Sequence, residues 1–232
     1  MKTQPSPLCA LVCALTFLLI FPVHASTYIY KAQSAAEDGQ QILLPDTTNA
    51  SKLQLLNKQG VSIGGKPTVG ADEKSLVFSG AQVAAFWSVE KIRSAVSGFK
   101  CEFSFLLNPK AASSIQTQAL IRHSNWEIRC DTDKNTLGVI VWHANPQKKY
   151  TVSQVPIKSG VWQRASVSLE GNALTVTVDG SPVSFDIPFP LDGGRVPGPF
   201  TIGAAAISAE NRAQDSFRPF SGALADINIT LN

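Results

Sequence analysis

Between Trp162 and Ile187 the chain alternates apolar and polar side chains with period two in three consecutive runs. Ala165, Val167 and Leu169 are separated by serines, Leu174, Val176 and Val178 by threonines, and Val183, Phe185 and Ile187 by Ser184 and Asp186. Such a period places every second side chain on one side of a pleated backbone, so the stretch predicts three half-buried antiparallel strands. The residues between the runs agree. Glu170-Gly171-Asn172 suits a three-residue hairpin, and Asp179-Gly180 supplies the positive φ that a tight two-residue turn requires.

Further strands are expected at 28–32, 53–56, 75–78, 82–86, 99–107, 117–122, 126–130, 137–143, 150–155, 200–204 and 224–231. No segment carries a helical stripe over three turns, and the best candidate, 89–96, is short and uncapped. Many short strands with turn signals every eight to twelve residues point to a sandwich or a barrel. A charged fraction of only 16% beside 44% hydrophobic residues excludes a long disordered or coiled-coil chain. The stretch Pro188 to Pro199 holds four prolines and three glycines, which makes it a stiff surface connection within one domain.

The N-terminus reads as an export signal. A single basic residue, Lys2, precedes an apolar run from Leu8 to Phe21, then Pro22 and the small-residue pattern Val23-His24-Ala25. The run is shorter than the roughly 20 residues that span a bilayer, so cleavage after Ala25 is expected, leaving a mature domain at 26–232 with no membrane span. Secretion, the periplasm or the cell surface follows as the destination. Loss of Lys2 takes the formal charge from +3 to +2, too small and scattered for a nucleic-acid partner. Cys9 and Cys13 leave with the leader. Cys101 and Cys130 remain, both on the apolar parity of strand-like segments, and an oxidising compartment predicts a disulfide between neighbouring strands. Such a bridge contributes about 3–4 kcal/mol by constraining the unfolded chain.

Several segments then fall in the order found in laminin-G-like, concanavalin A-type jelly rolls. Leu44-Pro45-Asp46-Thr47-Thr48-Asn49 precedes an early strand, and Ser75-Leu76-Val77-Phe78-Ser79-Gly80 resembles the family's small-Leu-x-Phe-x-Gly segment. Gly160-Val161-Trp162-Gln163-Arg164-Ala165 is followed by Leu174 to Gly180, then Phe200-Thr201-Ile202-Gly203 and the closing Phe220 to Ile229. The resemblance covers nearly the whole mature chain. It implies an all-β, two-sheet antiparallel β-sandwich whose faces and loops commonly bind glycans or proteins, and it places Trp162 at a core position. One departure stands out: relatives often carry an acid where this chain has Ala225, with Asp226 next. The same sandwich serves lectins, adhesion modules and glycan-cleaving enzymes, so function has to come from the residues.

Those residues point away from catalysis. Glycosidic cleavage normally uses two carboxyl groups about 5–10 Å apart. The nearest acids of one parity are Glu127, Asp131 and Asp133, and an extended strand would hold Glu127 and Asp131 about 13 Å apart. Asp131-Thr132-Asp133-Lys134-Asn135 opens like a calcium loop but continues with Thr136 where glycine is needed and reaches Trp142 where a bidentate glutamate belongs. No cofactor and no metal ligand set is assigned, and structural calcium held by loop carbonyls stays open. The mature chain has only His123 and His143, and no serine sits in a nucleophile elbow. Sugars stack apolar C–H faces on indole rings while polar side chains take their hydroxyls. Arg122, His123, Asn125, Trp126, Trp142 and His143 therefore form the expected glycan-facing set, although Trp126 also shares parity with Ile128 and Cys130 as a core residue would. The expected activity is a non-catalytic binding module for extracellular carbohydrate or a glycosylated protein. The alternatives are a glycoside hydrolase or polysaccharide lyase and a structural or adhesive envelope protein.

Overall fold

The structure is a computed structural model. It describes residues 25–31, 36–38, 41–45, 48, 52–55, 61–64, 74–80, 86–88, 92, 95, 97–108, 116–143, 149–191, 200–205 and 218–232. The expected leader lies outside these residues apart from Ala25, as do most of 89–96 and the connection from 192 to 199. No helix among the described residues is long and apolar enough to cross a membrane.

Among the described residues seventeen strands form two antiparallel sheets. The meander read from the sequence is β13 (Trp162–Glu170), β14 (Ala173–Val178) and β15 (Ser181–Asp186); the inward positions of β13 and β14 are those the alternation selects, whereas on β15 Phe185 is only partly buried and Val183 is 39% exposed. It continues through β8 (Gly98–Leu107) to β17 (Ser221–Leu231), the central strand of an eight-stranded sheet. The far flank of β17 is shared end to end by β1 (Ser26–Tyr30) and β6 (Ser75–Ser79), and β6 pairs with β5 (Val61–Gly64). The nine-stranded sheet runs from β12 (Lys149–Pro156) through β11 (Thr136–Trp142), β10 (Trp126–Asp131) and β9 (Thr117–His123) to β16 (Thr201–Ile202). Beyond β16 lie β7 (Phe86–Ser88), β4 (Lys52–Leu55), β3 (Gln41–Pro45) and β2 (Ala36–Asp38).

The core fills the space between the layers. From β8 come Phe99, Phe103 and Phe105, all at most 1% exposed, and from the facing sheet come Trp126, Ile128, Val139 and Ile202. The Trp126 ring lies nearly parallel to Phe99 at a centroid separation of 4.5 Å. Gly203 (φ 90) explains one of the glycines in the family-like segments. A Cβ there would sit 2.2 Å from the Phe78 ring, so the close approach of backbone to aromatic requires glycine.

Three expectations are corrected. Glu170 pairs with Ala173, so the first turn of the meander has two residues, Gly171 and Asn172; Asp179 and Gly180 both have positive φ as expected. Cys101 and Cys130 are free thiols, both fully buried. They point into the core as their parity indicates, but β8 and β10 lie in opposing sheets and are not the neighbouring strands expected. Burial, with Glu102 beside Cys101 and Asp131 beside Cys130, pushes both thiols well above the ordinary thiol range. Trp162 is not in the core. It pairs with Leu106 and shares its outward parity with Arg164 and Ser166, and it is half-buried on the outer face of the eight-stranded sheet.

One edge is shaped by proline. Ile187 N–H donates to Asn172 O (2.8 Å), and alternation of bonded pairs along β14–β15 then turns the backbone groups of residues 182, 184 and 186 away from β14. Pro182 therefore places its missing N–H on the open side of the sheet.

Candidate functional site

The inward run Trp126, Ile128 and Cys130 forces Glu127 and Arg129 to the outer face of β10. Arg122 on β9 stands directly across from Glu127, and Ile140 flanks it from β11. A bulge after Ile128 resets the pairing so that Arg129 faces Ala119. The fourth charged group arrives from far along the chain. Arg218, just before β17, adopts a positive φ of 42°, and its carbonyl accepts from Ala119 N–H (2.9 Å). Its Nη2 donates to Glu127 Oε2 at 2.7 Å. Arg122 Nε lies 3.8 Å from the same oxygen, while its guanidinium donates to Ala205 O and sits 5.1 Å over the Trp142 ring.

Glu127 is 0% exposed in spite of its charge. Burial lifts its carboxyl above the ordinary glutamate range, and Arg218, Arg122 and Arg129, in that order, pull it part of the way back. Burial likewise lowers Arg129, against the support of Glu127. Glu127 Oε1 and Arg129 Nε are both buried without a hydrogen-bond partner. A carboxyl sealed beneath guanidinium groups can organise a surface. It cannot deliver a proton to a sugar lying on that surface, which needs hydrogen-bond reach.

The six residues expected to face a glycan divide in two. His123 and Trp126 pair directly across the Ser124–Asn125 turn and therefore share the inward face. His123, Asn125 and Trp126 are 1%, 0% and 0% exposed, which corrects their placement on a glycan-facing surface. They act as internal fasteners: Asn125 Nδ2 donates to Ala95 O (2.9 Å), His123 Nε2 lies 3.2 Å from Ile92 O, and the His123 ring packs 4.6 Å from Phe200. Arg122, Trp142 and His143 are partly exposed. Arg122 and Trp142 come together, whereas His143 meets Phe189 edge-on at 5.4 Å. Sequence reasoning missed the Glu127–Arg218 pair, whose members are 91 residues apart.

The calcium-like segment is the β10–β11 turn. Asp131 Oδ1 accepts from Lys134 N–H (3.2 Å), Lys134 Nζ lies 3.5 Å from Asp131 Oδ2, and Asn135 takes a positive φ of 49°. Among the described residues no group of three or more His, Cys, Asp or Glu side chains is placed to hold a metal ion.

The Laminin G domain family model matches residues 123–232. Among curated proteins none matches the chain in sequence. Solved structures share the fold. The receptor-binding domain of botulinum neurotoxin D is 15% identical with a TM-score of 0.57, covering 82% of this chain and 46% of that one. The binding domain of botulinum neurotoxin DC in complex with SialylT is 11% identical with a TM-score of 0.55, covering 82% and 48%. A Trypanosoma rangeli sialidase mutant displaying trans-sialidase activity is 9% identical with a TM-score of 0.53, covering 87% and 30%. The chain thus spans less than half the length of each of these three. Residues 123–232 thus resemble the Laminin G domain family, and the two packed antiparallel sheets have the fold that these solved structures share.

Proposed function

We propose that the mature chain is an exported, non-catalytic binding module for extracellular carbohydrate or a glycosylated protein, with Arg122 and Trp142 on the outer face of the nine-stranded sheet as its contact surface. The observation that carries this is the Arg122 guanidinium 5.1 Å over a partly exposed indole. The cation holds the ring in one orientation, the ring offers an apolar surface for sugar C–H groups, and the guanidinium offers donors for oxygens. The relatives support the same reading, since two of them are receptor-binding or binding domains of toxins. The burial of Glu127 sets the hydrolase alternative back, because the acid best placed by sequence is closed off from solvent.

Retention on a panel of immobilised polysaccharides, with and without chelator, tests the proposal. Wild type is expected to be held by at least one polymer and Trp142→Ala to be released. Failure of the wild type on every polymer overturns it. Release of reducing ends from any polymer would instead favour the enzyme.

A further inference from the structure

At the pole opposite the Ser124–Asn125 turn, the segment joining β12 to β13 folds back over the end of β8. Ser159 bridges to Leu107, and Gly160 N–H donates to Leu107 O at 2.7 Å. This strap separates two adjoining clefts of about 430 and 370 Å³, and Asn108 lines both. Each falls in the size range of small-molecule sites, roughly 300–1,000 Å³. Their walls differ in kind. The first cleft sets Thr132, Asn135, Lys158 and Ser159 beside Leu107 and Ile157, and the second sets Trp162, Leu106, Val77 and Ala223 beside Ser75. In the strap between them Val161 is 49% exposed, so an apolar side chain stands in solvent beside the half-buried indole.

The polar wall is fixed before any ligand arrives. Asn135 is held in its left-handed conformation by its carbonyl, which accepts from Ile157 N–H (2.9 Å), and by Oδ1, which accepts from Ser159 Oγ (2.9 Å). Its Nδ2 hydrogens are what it has left to offer. Below the strap, Gln163 is 3% exposed and donates to Asp179 Oδ2 at 2.9 Å, which steadies the start of β13 where Trp162 sits. Lys158 is the single charged side chain among the described residues lining either cleft. A groove with an aromatic wall, an amide wall and one charge matches an uncharged molecule that is apolar on one side and hydroxylated on the other, which is the chemistry of a pyranose.

We infer that these clefts form a second, metal-independent subsite for a neutral oligosaccharide, one ring stacked on Trp162 and its neighbour's hydroxyls on Asn108 and Asn135. The subsite is separate from the Arg122–Trp142 face: β11 runs from Thr136 to Trp142, which puts about 20 Å between the two.

Titration of the isotope-labelled mature chain with neutral gluco-, xylo- and manno-oligosaccharides, followed by amide and indole resonances, tests this. Expected are shifts at the Trp162 indole N–H, the Asn108 and Asn135 side-chain amides and the 157–162 backbone, all unchanged by chelator. Trp162→Ala should weaken binding at least tenfold. Asn135→Asp keeps the acceptor for Ser159 but removes the Nδ2 donors, so it should weaken binding with the fold intact. The inference is overturned by no shifts with any neutral oligosaccharide, by shifts confined to the Trp142 indole, by loss of binding with chelator, or by unaltered affinity in Asn135→Asp. A pole that binds a protein ligand but no sugar would overturn it too. Failure here with polysaccharide retention through Trp142 leaves the proposed function standing, so the two can fail separately.

Discussion

Replacing Glu127 in two ways separates its charge from its hydrogen bond. Glu127→Ala removes the acceptor for Arg218 Nη2 (2.7 Å) and leaves Arg218, Arg122 and Arg129 repelling one another around a gap. A buried hydrogen bond to a charged group contributes about 1.5–3 kcal/mol, and breaking a buried pair costs about 3–5 kcal/mol. Arg122 and Arg218 keep side-chain exposures of 35% and 21% and recover part of their hydration, which argues for the low end, about 3 kcal/mol. At roughly 2–4 °C per kcal/mol for a domain of this size, Tm should fall by about 6–12 °C. Glu127→Gln keeps an oxygen for Arg218 and sheds a charge that burial disfavours, so it should stay within about 1 kcal/mol of wild type. The pH dependence follows the same sign. Because the folded carboxyl is raised, the native state holds a proton that the unfolded chain has released. Its stabilising contribution is therefore complete below about pH 4.3 and is lost as pH rises through the folded value. Circular-dichroism melts of the three proteins from pH 4 to 8 should show wild type losing stability relative to Glu127→Gln as pH rises. A Gln variant as damaged as the Ala variant would refute the claim that burial outweighs the guanidinium groups, and an Ala variant within 1 kcal/mol of wild type would refute the whole account.

Gly203→Ala should destabilise by about 3 kcal/mol in urea titration. Its φ of 90° is strained for an L-residue by about 1–2 kcal/mol, and the added carbon overlaps Phe78, which adds an overpacking cost of about 1–3 kcal/mol. Cys101 and Cys130 should resist alkylation in the native protein and take up two labels per mature chain after denaturation; a mass showing no free thiol would restore the bridge. Trp126→Ala should cost about 3–5 kcal/mol, while Trp142→Ala should leave stability within about 1 kcal/mol, because only the first ring is enclosed by the core.

The strands were legible because alternation reports which side chains face the core, and it selected the buried apolar residues of β8, β10, β13 and β14; it gave no sign that the outward Ser104 and Glu127 are buried as well. The same alternation already set Trp162 opposite to Ala165 and Val167. The family-like segment around it suggested the core, and the local pattern was the better guide. Parity also sent Cys101 and Cys130 inward, yet it carries no information about which sheet a strand joins, and the expectation that their strands are neighbours failed on that point. Trp126 and His123 were drawn into the glycan set by residue type alone. The pairing across a two-residue turn, which fixes both inward, became visible only with the register. The Glu127–Arg218 contact left no local trace, because it depends on the chain returning across the sheet from 91 residues away.

Pro182 has a consequence at the level of the crowd of molecules rather than the single one. A newcomer lying alongside β15 would look for a rhythm of hydrogens and carbonyls and miss a beat at the second residue, with Asp186 bringing an anion against its other end. Ribbon-to-ribbon growth from that border is thereby discouraged, and at high concentration each molecule keeps its layers to itself.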